Sequence, residues 1–129
     1  MAREIEKRAD KEQIRFVHLG RKDDLPVSLV KVFTDLEEKT RKYKKHVFNA
    51  AINYGGHDEI LRATRKIIND GVKAEDLDKD LFASYLDTGD QPYPYVDLFI
   101  RTSGEQRTSG FLPWQLNYAE YNWELGHLP

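Results

Sequence analysis

A chain of 129 residues and 15.1 kDa suits one domain, 1–129, and at that size about two-thirds of the unfolded surface can be buried. With 40% hydrophobic and 33% charged residues the composition is that of a globular protein and excludes intrinsic disorder. No apolar run approaches the ~20 residues of a membrane span, residues 1–11 are too charged for a signal peptide, and zero cysteines exclude disulfides, thiolate metal sites and cysteine nucleophiles. A reducing compartment fits that absence, and a cytoplasmic location is expected.

The net charge of −2 conceals a split, because residues 1–50 carry 13 Lys/Arg against 9 Asp/Glu and residues 51–129 carry 7 against 13. In chain order, residues 1–12 read as a polar helix or lead-in, and 14–19 as a strand rich in β-branched and aromatic residues, ending at Gly20. Asp23 or Asp24 is the expected N-cap of an amphipathic helix over 26–41, whose stripe is Leu25, Leu29, Val32, Phe33 and Leu36. A second strand covers 47–53, closed by Gly55 and Gly56. Ile60, Leu61, Thr64, Ile67 and Ile68 mark a second helix with Gly71 as its C-terminal stop. A short helix is expected near 81–86, a loop over 87–95, a third strand at 96–100 and a fourth at 121–123. Strands separated by helices predict an α/β fold, a partial parallel sheet with flanking helices.

Three patches invite a chemical reading. Lys39, Arg41, Lys42, Lys44 and Lys45, with Tyr43 among them, are better explained as a solvated helix end than as a nucleic-acid stripe. His57-Asp58-Glu59 is a poor metal cage, since neighbours on a helix diverge; an acidic first turn explains it. The segment 97–120 is richer. A strand delivers Arg101 at its C-terminal end, the ligand side of parallel sheets, and Arg107 and Ser109 follow in one loop. Thr102-Ser103-Gly104 is expected to turn backbone amides toward an anion. Two guanidinium forks and a hydroxyl suit a diphosphate, with Glu105 and Glu120 available to Mg²⁺. Structural salt bridges from the arginines to Asp97, Glu105 and Glu120 explain the residue types equally well.

The run Asp97-Leu-Phe-Ile-Arg-Thr-Ser-Gly-Glu-Gln-Arg-Thr-Ser-Gly-Phe-Leu-Pro-Trp-Gln-Leu-Asn-Tyr-Ala-Glu120 closely resembles the signature of the cis-prenyltransferases, the undecaprenyl diphosphate synthase family. Residues 14–26 and Asn53 to Ile60 agree in order, so the resemblance runs from about residue 10 to the end and implies the second half of that fold. Members join isopentenyl diphosphate head-to-tail to an allylic diphosphate: the allylic diphosphate leaves with Mg²⁺ assistance, the alkene of the homoallylic diphosphate attacks and a proton is lost. By position, Arg101, Arg107 and Ser109 are the implied isopentenyl diphosphate clamp and Glu120 the implied metal carboxylate. Trp114, Phe111 and Tyr118 are implied to pack around the clamp, and Asp97 to be structural.

The chain also departs from the family pattern. The catalytic Asp-Gly-Asn motif of the first half and its Phe-Ser motif do not occur, Gln106 stands where a metal-binding histidine is common, and Gly110 replaces a common asparagine. The chain stops at Pro129, before the family's arginine-glycine tail. The expectation is therefore an enzyme fragment or subunit, inactive alone. It would form a homodimer or pair with a catalytic half, bind no nucleic acid, and meet membranes only peripherally through a lipid product. A non-catalytic interaction module is the alternative.

Overall fold

A computed structural model describes residues 2–127 and divides the chain into two compact units, Met1–Tyr54 and Gly55–Pro129. The architecture is α/β: both strand pairs among the described residues are parallel, and helices separate the first three strands in sequence. The strands form two separate two-stranded pairs rather than one sheet.

In the first unit, α1 (Ala2–Glu12) leads into β1 (Ile14–Leu19), then α2 (Val27–Thr40) and β2 (His46–Ala51). β1 and β2 run parallel from Ile14↔His46 to Leu19↔Ala51. The α2 stripe buries Phe33 and Leu36 on Phe16, with Leu25, Leu29, Val32 and Ala50 around them, as the helical spacing requires. Phe16 stacks on Phe33 at 5.9 Å, and the His18 ring on Phe33 at 5.0 Å. Two β1 amides that point away from β2 are met by α2 side chains: Phe16 N–H donates to Thr40 Oγ1 (2.9 Å) and His18 N–H to Glu37 Oε1 (2.9 Å). That closes the free edge of β1, which otherwise presents unpaired donors.

The strands end together. Gly20 (φ +112°) lies so close to β2's exit that a Cβ there would stand 2.7 Å from the carbonyl oxygens of Ile52 and Asn53, and Arg21 N–H donates to Asn53 O (3.1 Å). Neither Asp23 nor Asp24 caps α2. Pro26 holds the N-cap position with no side-chain bond, and Asp23 instead pairs with Arg21 at 3.2 Å. In the basic stretch Arg41, Lys42, Lys44 and Lys45 are exposed, Lys39 pairs with Glu6 on α1 (2.8 Å), and Tyr43 is buried.

In the second unit, α3 (Gly56–Asn69) is followed by a single 3₁₀ turn (Ala74–Asp76), α4 (Lys79–Ser84), β3 (Leu98–Arg101) and β4 (Glu120–Trp123). α3 stops at Gly71, whose φ of +69° is the left-handed conformation of a helix stop. Its buried face differs from the expected stripe. Gly56, Glu59, Ala63 and Ile67 are buried, whereas Leu61 and Ile68 are 54% and 69% exposed. The 59, 63, 67 spacing is the regular one-face repeat, and it makes a glutamate part of the buried row.

β3 and β4 pair in parallel from Leu98↔Glu120 to Arg101↔Trp123. Alternation places Phe99, Arg101, Tyr121 and Trp123 on one face and Leu98, Ile100, Glu120 and Asn122 on the other. Phe99 gathers Tyr121 (5.5 Å), Trp123 (5.6 Å) and Phe111 (6.3 Å) on the first face. No described helix is long and apolar enough to cross a membrane.

Candidate active site: an arginine–serine pair on the β3–β4 connection

The strand ends at Arg101, and the connection to β4 curls back over it. Arg101 Nη1 donates to Ser109 Oγ at 2.9 Å and also to the Arg107 carbonyl. Ser109 (φ +50°), Gly110 (φ +74°) and Leu112 (φ +44°) all adopt left-handed backbone, which costs a non-glycine residue about 1–2 kcal/mol and persists only where surroundings impose it. Arg107 turns outward, 67% exposed along its side chain, and pairs with Glu105 Oε2 at 2.6 Å. Of the expected salt bridges, Arg107–Glu105 forms. Arg107 makes a surface ion pair, while Arg101 donates to neutral oxygens within its loop.

The expected amide cradle at Thr102-Ser103-Gly104 does not form. Ser103 N–H donates to Gly126 O (2.9 Å) and Gly104 N–H to Glu124 O (3.1 Å), so both amides are spent on the chain beyond β4. Ser103 Oγ also lies 2.9 Å from His127 Nδ1.

Arg101, Arg107 and Ser109 are brought together; Glu120 stands apart. It begins β4 opposite Leu98, three ladder steps or roughly 10 Å from the level of Arg101, and its side chain projects from the other face. Among the described residues no three His, Asp or Glu side chains gather as a metal site, and Glu105 is engaged by Arg107. Within one chain these residues do not fit a Mg²⁺ centre beside Arg101. Of the aromatic residues, Trp114 packs on Phe82 (4.6 Å) and Phe111 on Phe99 (6.3 Å), but Tyr118 is 93% exposed. The Asp97 carbonyl accepts from Glu120 N–H at 2.8 Å.

Behind the loop lies a polar network that residue types alone do not reveal. Glu59, 1% exposed, accepts from Asp87 N–H (2.8 Å) and from Gln115 Nε2 (3.1 and 3.3 Å). Gln115, also 1% exposed, reaches Thr88 Oγ1 at 3.3 Å. Arg62 makes a two-point bridge to Asp87 (2.7 and 2.7 Å) and a further bond to Asp58 (2.9 Å). Its pKa is driven further above the arginine range, chiefly by the hydrogen bonds to Asp87, with burial opposing. The four-residue spacing of Glu59 from Ala63 and Ile67 is the signal the sequence carries for this network. It is masked because the helix dipole already accounts for an acidic first turn.

A positive side chain at a strand terminus, bonded to a hydroxyl in a loop of constrained backbone, is a candidate anion site on an α/β scaffold. The family model described as "Putative undecaprenyl diphosphate synthase" matches residues 1–125, and the chain belongs to that cis-prenyltransferase family. Isoprenyl transferase of Aquifex pyrophilus is 43% identical over 107 residues, covering 83% of this chain and 45% of that enzyme. The tritrans,polycis-undecaprenyl-diphosphate synthase (GGDP specific) of Sulfolobus acidocaldarius is 45% identical over 114 residues, covering 85% and 43%. Lavandulyl diphosphate synthase from Lavandula x intermedia, solved with dimethylallyl diphosphate, superposes with a TM-score of 0.87 at 31% identity, covering 95% of this chain and 54% of that one. The chain spans about half the length of the curated relatives it matches.

Proposed function

We propose that this chain supplies the isopentenyl diphosphate half of a cis-prenyltransferase, with Arg101, Arg107 and Ser109 as the diphosphate clamp. The observation that carries this reading is the Arg101–Ser109 bond at the end of β3, with Arg107 in the same loop. Arg101 presents charge beside a hydroxyl, and Arg107 exchanges Glu105 for a phosphate at little cost, since an exposed ion pair is worth about 0–1 kcal/mol.

Clamping holds isopentenyl diphosphate while the terminal carbon of its alkene bonds to the allylic partner. The allylic C–O bond breaks, diphosphate leaves and the new carbon skeleton loses a proton. The allylic half, with its Asp-Gly-Asn aspartate, belongs to a second polypeptide or a preceding segment, so this chain alone turns nothing over. Exposed Leu98 (53%) and Ile100 (57%) support association through β3, with a second copy or with the catalytic half. The chain acts in the cytoplasm and meets membranes only through a lipid product.

Charge-assisted hydrogen bonds contribute about 1.5–3 kcal/mol, so Arg101→Ala should weaken isopentenyl diphosphate binding roughly ten- to a hundredfold by calorimetry, and Arg107→Ala similarly. Unchanged affinity in both variants overturns the clamp. A non-catalytic subunit is separated by mixing with a polypeptide that carries the Asp-Gly-Asn half: restored chain elongation supports the enzyme half, and binding without elongation supports the subunit.

A further inference from the structure

The first turn of α3 grips the clamp loop at three successive points. Gly56 N–H donates to Gly110 O at 3.0 Å, directly after Ser109. The Gly56 backbone also lies against Pro113, so closely that a Cβ would fall 2.3 Å from Pro113 Cδ and 2.4 Å from Gly110 O. Three residues along the same turn, Glu59 accepts from Gln115 Nε2.

We propose that Glu59 and Gln115 are positioning residues for the anion clamp: their buried carboxylate–carboxamide bond sets where the loop places Ser109, and through Ser109 the Arg101 guanidinium. This rests on the clamp reading above. Three features favour positioning over simple packing. An apolar pair would fill the same buried space without the desolvation of a carboxylate, so the polar pair contributes direction rather than burial. Gln115 turns its Nε2 to Glu59 even though its Oε1 then has no hydrogen-bond partner among the described residues, so the carboxylate dictates the amide's orientation. The pair also lies at the far end of the segment whose left-handed residues, Ser109, Gly110 and Leu112, must be imposed from outside.

The neighbouring groups brace the same point. Asp87 N–H shares the Glu59 carboxylate, and the Asp87 side chain takes both terminal nitrogens of Arg62. Arg62 returns to α3 at Asp58, so carboxylate, amide and guanidinium close a loop around the first turn of that helix.

The test uses the full chain with inorganic diphosphate as probe and the amide resonances of Ser109 and Gly110 as an independent readout. Gln115→Glu sets two carboxylates against each other and should weaken diphosphate binding about tenfold and shift both resonances, whereas Glu59→Gln keeps an accepting oxygen but loses the charge-assisted bond and should weaken binding about threefold and shift them less. The double exchange restores a donor opposite an acceptor. The carboxamide oxygen at position 59 still accepts from Asp87 N–H, while its NH₂ donates to the carboxylate at position 115. Combining the two should return affinity to within about threefold of wild type and return the resonances with it. If a single exchange does not fold, Glu59→Asp keeps the charge and shortens the reach, and the same partial loss is expected.

Wild-type affinity and unmoved resonances in the single variants overturn the proposal, as does a double exchange that recovers stability without affinity. If wild type itself does not bind diphosphate, the clamp reading falls. Positioning of the loop is then judged by the resonances, which support it if they move and recover and refute it if they do not.

Discussion

The two units solve the same problem, anchoring a parallel strand pair, with different materials. In Met1–Tyr54, α2 lays an apolar stripe on β1, and two side-chain oxygens, Thr40 Oγ1 and Glu37 Oε1, satisfy the strand's spare amides. In Gly55–Pro129 the grip on the β3–β4 connection is largely polar, passing through Glu59, Gln115, Asp87 and Arg62, with a glycine contact at Gly56. Apolar packing is non-directional and tolerates small shifts, whereas a hydrogen-bonded carboxylate fails outside a narrow geometry. The unit that presents the proposed clamp therefore uses polar groups for direction, and the unit that supports a strand pair relies on area.

That contrast breaks most visibly where each unit is most committed. Phe33→Ala removes the ring stacked on Phe16 and His18 and should cost the first unit about 3–5 kcal/mol, read as lost amide-exchange protection in β1 and β2. Retained protection would mean that the apolar stripe is not the main anchor. Gly56→Ala forces a methyl into Pro113 and the Gly110 carbonyl and should cost about 1–3 kcal/mol, lowering the melting midpoint by roughly 10 °C. An unchanged midpoint would show that the α3–loop contact can open freely.

Smaller changes sharpen the comparison. Glu105→Gln frees Arg107 from its exposed partner and should raise diphosphate affinity about two- to fivefold, measured by calorimetry. A fall in affinity would make Glu105 part of the site rather than Arg107's resting partner. Smallest is the Tyr85–Asp70 bond at 2.8 Å, which holds the phenol's pKa above its ordinary 10.0, chiefly through the hydrogen bond to Asp70. The protonated phenol is the bonded form, so its stabilisation is complete below pH 10 and is lost as pH rises through the higher folded value. Tyr85→Phe should flatten the alkaline limb of the stability curve while moving the melting midpoint at neutral pH by no more than about one degree. An alkaline limb identical to wild type would remove this bond from the account.

Much of the architecture is legible because periodicity is local. The strand at 14–19 has its expected bounds, and the helix expected over 26–41 is Val27–Thr40, since the β-branched run and the helical stripe are written in consecutive residues. The α3 stripe differs from expectation because Ile68 and Leu61 carry the same apolar signal as Ile67. Packing chooses which face turns inward, and it chose the face that carries Glu59. The N-cap at Asp23 or Asp24 is absent for a similar reason: Arg21 outcompetes the helix for the Asp23 side chain.

At the site, the residue types and order of Arg101, Arg107 and Ser109 are readable in one segment, because a strand end and its loop are contiguous. The separation of Glu120 from them is not, since a parallel pair's register and faces depend on how the connection crosses over. Neither is the spending of the Ser103 and Gly104 amides on residues 124–126, a long-range pairing invisible to local turn chemistry.

Neighbouring positions alone were enough to fix the alternation of strands and helices, the family, and the order of the residues in the proposed clamp. Folding was needed to bring a buried glutamate and a glutamine 56 residues apart into the grip of α3 on that loop. The reason is physical: a carboxylate is desolvated at tolerable cost only where the tertiary structure carries donors to it, and no local pattern announces which distant donors those are.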